Sequence, residues 1–258
     1  MADFMLSSDS GRFLLWLDAL RARVPTACVL CKGRTQGGGL CTACTDDWHY
    51  RYKQVRWRCQ RCKVAQLGGE PREATQCQRC EEHPLALQQL AVAFDYMMPL
   101  DSLIWRFKSR QQLRLAPVLA RMMVQAILRD GCALPPSTVV AYIPSRSSAL
   151  QSRGFNPAAE LARYVARLLG LRLAYSAFAL SDSGNQRAQK TRNLAARWAY
   201  AQQAYRWQLS AKQPPPVSLL LVDDVYTTGS TLHGAAYCAM QHGVQQVHGV
   251  TLARVPWH

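Results

Sequence analysis

The sequence predicts an α/β protein with a mostly parallel central sheet flanked by helices, joined to a small N-terminal module built on cysteines. Three observations carry that expectation. Apolar strand-like runs alternate with helically spaced stretches from about residue 85 onward. Eight of the ten cysteines fall into four C-x-x-C pairs, all before residue 81. A chain of 258 residues has room for one α/β domain and one compact metal-stapled module. The expected organisation is an N-terminal helix over 1–23, a cysteine module over 24–84 and the α/β domain over 85–258.

Phe13 to Leu20 reads as a short amphipathic helix leading into the cysteines. It is too short to span a bilayer, which needs ~20 apolar residues. Asp18 inside it also spoils the uncharged core of a signal peptide. These features predict a cytoplasmic protein with no membrane insertion. In such a reducing compartment the cysteines are expected to bind metal rather than form disulfides.

The cysteine pairs are Cys28/Cys31, Cys41/Cys44, Cys59/Cys62 and Cys77/Cys80. A structural zinc needs four thiolates at tetrahedral corners, and each C-x-x-C turn supplies two. Both spacers suit a short hairpin, so sequential pairing predicts two Zn²⁺ sites, while spacing alone also allows an interleaved pairing of first with third and second with fourth. His49 and His83 lie close in sequence but are expected to be exposed rather than ligating, since eight thiols are at hand. Cys132 and Cys238 read as small apolar residues.

In the α/β part, Leu90–Tyr96 and Val139–Ile143 read as strands, and Leu171–Tyr175 as a short one. Leu103–Phe107 and Leu113–Leu128 have helical spacing. Pro157–Leu169 is a helix with Asn156 as N-cap, Pro157 at its first position and Gly170 as its stop. Pro214-Pro215-Pro216 is a loop feeding the next strand. A helix from Ser230 to His242, closed by Gly243, and a strand from Val247 to Ala253 finish the chain.

The most informative stretch is Leu219 to Thr231, LLLVDDVYTTGST. An apolar run of the kind buried on both sheet faces ends in Asp223 and Asp224. Beyond Val225 and Tyr226 comes the small-residue loop Thr227-Thr228-Gly229-Ser230-Thr231, at the start of a helix. Ligands bind beyond the carboxyl ends of strands in open α/β sheets. Paired acids accept hydrogen bonds from a vicinal diol, and a hydroxyl- and glycine-rich loop at a helix N-terminus suits a phosphate. A ribose 5-phosphate carries both groups.

Net charge is +15, and it is unevenly spread. Residues 101–258 hold 18 basic and 6 acidic side chains, and 15 of the basic ones are Arg, whose planar fork fits phosphate oxygens. A strongly basic domain suits a polyanionic partner such as nucleic acid. Trp105 and Phe107, interleaved with basic residues, fit a single-strand binder, although aromatics at helical spacing are more often core.

Leu219 to Thr231 closely resembles the phosphoribosyl-pyrophosphate (PRPP) motif of type I phosphoribosyltransferases. Ile143-Pro144-Ser145-Arg146 ends a strand, and Arg153-Gly154-Phe155-Asn156 follows at a helix start. Gln186, Arg192 and Asn193 come later, and Lys108 stands in WRFK ahead of the first long helix. With the cysteine pairs, this ordered set resembles the ComF family, which includes GntX proteins, over about residues 25–255. Pro157 departs from the glutamine usual there.

The resemblance implies a type I phosphoribosyltransferase-like fold with a double zinc ribbon, and a PRPP site. Asp223 and Asp224 would hold the ribose hydroxyls, and residues Tyr226 to Thr231 the 5-phosphate. Pro144, Ser145 and Arg153 would face the pyrophosphate, with Lys108 in the site and Lys190 and Arg192 closing over it. Mg²⁺ is the expected companion of the pyrophosphate. It also implies DNA uptake or use of extracellular DNA, with single-stranded DNA and competence or DNA-processing proteins as partners. An active phosphoribosyltransferase and a PRPP sensor without turnover are the alternatives.

Overall fold

The computed structural model describes Leu20 and residues 23–55, 57–66, 75–181, 194–209 and 214–256. The expected N-terminal helix, apart from Leu20, lies outside the described residues, as do Gln186, Lys190, Arg192 and Asn193. The chain divides into two compact units, Met1–Arg51 and Tyr52–His258. The first cysteine quartet therefore belongs to one unit, and the second quartet shares its unit with the α/β sheet.

In the first unit a two-stranded antiparallel ribbon, β1 (Pro25–Ala27) and β2 (Arg34–Gln36), brackets the Cys28/Cys31 turn. Helix α1 (Thr42–Lys53) starts inside the Cys41/Cys44 turn and runs into the second unit. The same plan repeats there. Strands β3 (Trp57–Arg58) and β4 (Ala65–Gln66) bracket Cys59/Cys62, and helix α2 (Gln78–Glu82) starts at Cys77.

The remaining elements are β5 (Gln89–Asp95), α3 (Asp101–Lys108), a 3-10 turn at Leu113–Leu115, α4 (Ala116–Arg129), β6 (Val139–Tyr142), α5 (Ser147–Arg153), α6 (Pro157–Leu169), β7 (Arg172–Leu173), β8 (Phe178–Leu180), α7 (Leu194–Gln203), β9 (Tyr205–Trp207), β10 (Ser218–Tyr226), α8 (Ser230–Gln241) and β11 (Gln246–Arg254). Five strands form one parallel sheet in the order β5-β11-β10-β6-β7, as in a type I phosphoribosyltransferase-like fold. The antiparallel pair β8–β9, which the sequence reading missed, forms a separate two-stranded sheet.

Alternation along β10 explains the two helix layers. Leu219 and Leu221 share a buried cluster with Leu232, Ala235, Ala236 and Ala239 of α8, and with Cys59, Cys62, Cys77 and Cys80. Helices α4 and α6 pack on each other; α4 also meets β5 and β11, while α6 meets β6 and β10. α6 starts where its sequence says it should. The Asn156 side chain accepts from the N–H of Ala158 and Ala159, and Gly170 ends the helix with φ 66°. Asn156 also donates to the Ile143 carbonyl at 2.9 Å, which fixes the helix start against the end of β6.

Chain direction across the sheet reverses at β6: β7 follows on one side and β10 on the other. Such a reversal opens a crevice at the carboxyl ends of the two strands. β6 stops pairing at Tyr142, opposite Val222, while β10 pairs with β11 as far as Tyr226 opposite Arg254. Asp223 and Asp224 are thus the first residues of β10 past its β6 neighbour.

Candidate functional site

A cavity of about 740 Å³ lies at this end of the sheet, and Lys108, Arg153, Asp224 and Thr227 line it together with Tyr96 and Trp105. Residues far apart in sequence converge here because β5, β10 and β11 end side by side, with α3 and α5 beside them. Lys108, at the last turn of α3, places Nζ 2.8 Å from Asp224 Oδ2. Asp223 turns back on its own strand, where its Oδ1 accepts from the Asp224 N–H at 2.8 Å. Burial, and then the neighbouring Asp224, push the Asp223 carboxyl up to about 8. The Asp224 N–H and Lys108 oppose that shift without cancelling it.

The loop after β10 is shaped by glycine. Gly229 sits with φ 88°, and a Cβ there would overlap the Tyr226 hydroxyl oxygen and approach Leu85 Cδ2 to 3.1 Å. Only glycine meets both requirements. Thr228 Oγ1 lies 3.0 Å from Ser230 Oγ and accepts from the Ser230 N–H at 3.4 Å. Helix α8 begins at Ser230, so the loop presents hydroxyls and backbone at a 12-residue helix N-terminus.

Among the other expected site residues, Arg153 closes α5 and Gly154 follows it in the left-handed conformation, φ 75°. Pro144 and Ser145 occupy the turn between β6 and α5. Helix α5 itself was not foreseen, because SSALQSR has no apolar stripe and buries no residue. Phe107 is no stacking platform. It is fully buried and packs edge-on against Phe155, 5.6 Å between centroids. Trp105, two residues earlier on the helix, is 50% exposed, with the Arg110 guanidinium 4.9 Å from its ring centroid.

Two residues at the site carry no motif and were missed. Tyr205 of β9 is hydrogen-bonded to Thr231, and its phenol is pushed upward by burial and by Asp223. Arg254, the last residue of β11, is fully buried and donates from Nη1 to the Thr227 carbonyl at 2.7 Å. An arginine at a strand end gives no signal in sequence, because only the fold puts it under the loop.

The cysteines pair sequentially, as quartets Cys28/Cys31/Cys41/Cys44 and Cys59/Cys62/Cys77/Cys80, with all sulfurs of a quartet within 4.8 Å of one another. Around a zinc at ~2.3 Å, tetrahedral sulfurs are ~3.8 Å apart. Cys31 and Cys41 Sγ lie 3.5 Å apart, Cys62 and Cys77 Sγ 3.7 Å apart. Backbone N–H groups of Leu30 and Cys41 point to Cys28 Sγ, and those of Cys62 and Cys77 to Cys59 Sγ, the arrangement that steadies thiolates around a metal. Each quartet could therefore hold one zinc. His49 and His83 belong to neither quartet, yet they are half-buried rather than exposed, and stack on Trp48 and Trp198. Among the described residues no helix is long and apolar enough to cross a membrane.

No protein-family model matches the chain. Comparison with individual proteins is more informative. DNA utilization protein YhgH of Salmonella typhi is 28% identical over 236 residues, covering 90% of this chain and 98% of that protein. The protein of the same name from Escherichia coli (strain K12) is 26% identical over 237 residues, with the same coverage. Competence protein F of Haemophilus influenzae is 26% identical over 245 residues, covering 88% of this chain and 96% of that protein.

Proposed function

We propose that this chain is a ComF-like protein that binds PRPP at the end of β10 and serves DNA uptake or the use of extracellular DNA in the cytoplasm. One observation carries the first half. Asp224, at the end of a central parallel strand and beside the buried Asp223, lines a cavity with Lys108, Arg153 and Thr227, the first residue of a hydroxyl-rich loop at a helix N-terminus. The names of the relatives and the basic α/β part support the second half.

In this reading Asp223 and Asp224 accept from the ribose diol, and the ligand's hydroxyls replace Lys108 as partner of Asp224. Released, the Lys108 ammonium turns toward the pyrophosphate, together with Arg153 and the turn at Pro144 and Ser145. The 5-phosphate takes the loop from Thr227 to Thr231. Mg²⁺, when bound, shields pyrophosphate charge, and the acids at the end of β10 are oxygen donors of the type it prefers. The first and second quartets hold zinc in a structural role. Where phosphoribosyl transfer occurs, positioning and neutralisation of the leaving group carry it, since the anomeric centre develops oxocarbenium character.

Titration with PRPP and with single-stranded DNA, each with and without the other and Mg²⁺, tests the proposal. Mutually dependent binding of both supports it. Consumption of PRPP with a nucleobase makes the chain a working phosphoribosyltransferase. Failure to bind PRPP removes the reading of the site, and failure to bind DNA removes a direct role on DNA.

A further inference from the structure

The second cysteine quartet and the loop after β10 meet through one buried side chain. The Arg254 guanidinium donates from Nε to the carbonyl of Cys62, a member of that quartet, at 3.2 Å. From Nη1 it donates to the carbonyls of Thr227 and Val255, each at 2.7 Å. Its Cζ lies 4.6 Å from the centroid of the Tyr226 ring. That ring supplies a second connection. Its hydroxyl occupies the space a side chain at Gly229 would need. The same ring belongs to the buried cluster that contains Cys59, Cys62, Cys77 and Cys80.

From these contacts we infer that Arg254 is a positioning residue that transmits the state of the second quartet to the loop Thr227–Thr231, so that metal bound by Cys59, Cys62, Cys77 and Cys80 sets the loop for a phosphate. The inference rests on the proposed phosphate role of that loop. Its physical basis is the reach of a guanidinium. Donors on one rigid plane span two carbonyls, one on the cysteine turn and one at the start of the loop, which a single ammonium cannot do with the same spacing. A four-thiolate zinc centre carries a net formal charge of about −2, which also offsets the buried cation. If the quartet opens, the Cys62 turn moves, the guanidinium loses one anchor, and the Thr227 carbonyl and the Tyr226 ring are released together. The first quartet has no part in this chain of contacts.

The test uses the full zinc-loaded chain and three variants: Arg254→Lys, Cys62→Ser and Cys31→Ser. Zinc content, PRPP affinity by calorimetry, and amide hydrogen exchange of residues 227–231 are measured on each. Arg254→Lys is expected to keep both zincs and its fold, to lose about tenfold or more in PRPP affinity, the scale of one charge-assisted hydrogen bond, and to exchange faster in the loop. Cys62→Ser is expected to lose one zinc with the same two effects. Cys31→Ser is expected to lose one zinc with neither. If the unsubstituted chain binds no PRPP, the phosphate reading fails, and exchange alone decides the coupling. Unchanged loop exchange in Arg254→Lys or in zinc-depleted Cys62→Ser overturns the inference, as does an equal response to Cys31→Ser.

Discussion

The two cysteine quartets share a plan, a bracketed hairpin turn and a turn that starts a helix, yet they sit in different surroundings. In the first, only Cys28 is buried and Cys31 is exposed; in the second, all four are buried. The first lies in the unit that ends at Arg51, and the second belongs to the unit of the sheet, where its cysteines join the hydrophobic cluster beneath β10 and α8. The difference teaches that a repeated motif need not be a repeated function. One quartet holds a small module together, whereas the other is part of the core on which the candidate site stands.

The comparison is broken or sharpened most strongly by removing a ligand from each quartet. Structural zinc contributes roughly 10–16 kcal/mol to the folding of small metal modules, so its loss is felt wherever the module bears on the fold. Cys62→Ser is expected to lower the melting temperature of the whole 52–258 unit, and Cys31→Ser that of the 1–51 unit alone. Limited proteolysis read by mass spectrometry distinguishes the two, and equal damage to the sheet from both variants would erase the contrast.

A smaller effect is expected at the ion pairs. Arg58 beside the second quartet grips Asp95 at the end of β5 through two bonds of 2.6 and 3.0 Å, and only 12% and 10% of the two side chains are exposed. Tyr52 lies between the guanidiniums of Arg58 and Arg129, at 3.8 and 3.4 Å from its ring centroid, which adds to the rigidity of this corner. Asp95→Ala leaves a buried guanidinium uncompensated and is expected to cost about 3–5 kcal/mol in chemical denaturation. The Arg51–Asp47 pair of the first unit is 52% and 44% exposed, and Asp47→Ala is expected to leave the denaturation midpoint nearly unchanged.

A further contrast is one of pH. Asp223 has its carboxyl raised to about 8 from 3.8, so the folded state holds a proton that the unfolded chain has released. The Asp223 contribution to stability of the second unit is therefore expected to fall as pH rises from about 4 to about 8 and to level off above, because the unfolded state binds fewer protons at this group across that window. It runs against the opposite trend of His233 and His248, whose burial lowers their pKa. Asp223→Asn removes this slope. Denaturation midpoints at pH 5 and pH 8 check it, and an unchanged slope in the variant would place the titration elsewhere.

Much of this architecture was legible in the sequence because it rests on local chemistry. The Asn156 cap, Pro157 and Gly170 delimit α6 to the residue, and the doubly apolar run of β10 could only be a buried strand. Sequential quartets followed from short spacers once the fold chose between the two pairings. What escaped the sequence depends on contacts between distant segments. Helix α5 has no apolar face to announce it, and β8 and β9 are three-residue strands that exist because they pair with each other. Trp105 and Phe107 have different fates because a helix turns by 100° per residue, so these two residues lie on opposite faces: Phe107 is in the core, as aromatics at helical spacing more often are, and Trp105 is on the cavity wall. Arg254 was invisible for the same reason that makes it interesting: its partners come from three separate stretches of chain.

The measurement that tests the central claim most directly is calorimetric titration of the zinc-loaded protein with PRPP and Mg²⁺, for the unsubstituted chain and for the Asp223→Asn/Asp224→Asn double variant. Saturable binding is expected in the first. In the second the charge that strengthens the diol hydrogen bonds is gone, and affinity is expected to fall by at least about tenfold, with melting behaviour showing that the fold survives. Undiminished PRPP binding by the double variant would contradict the assignment of the β10 carboxylates to the ribose.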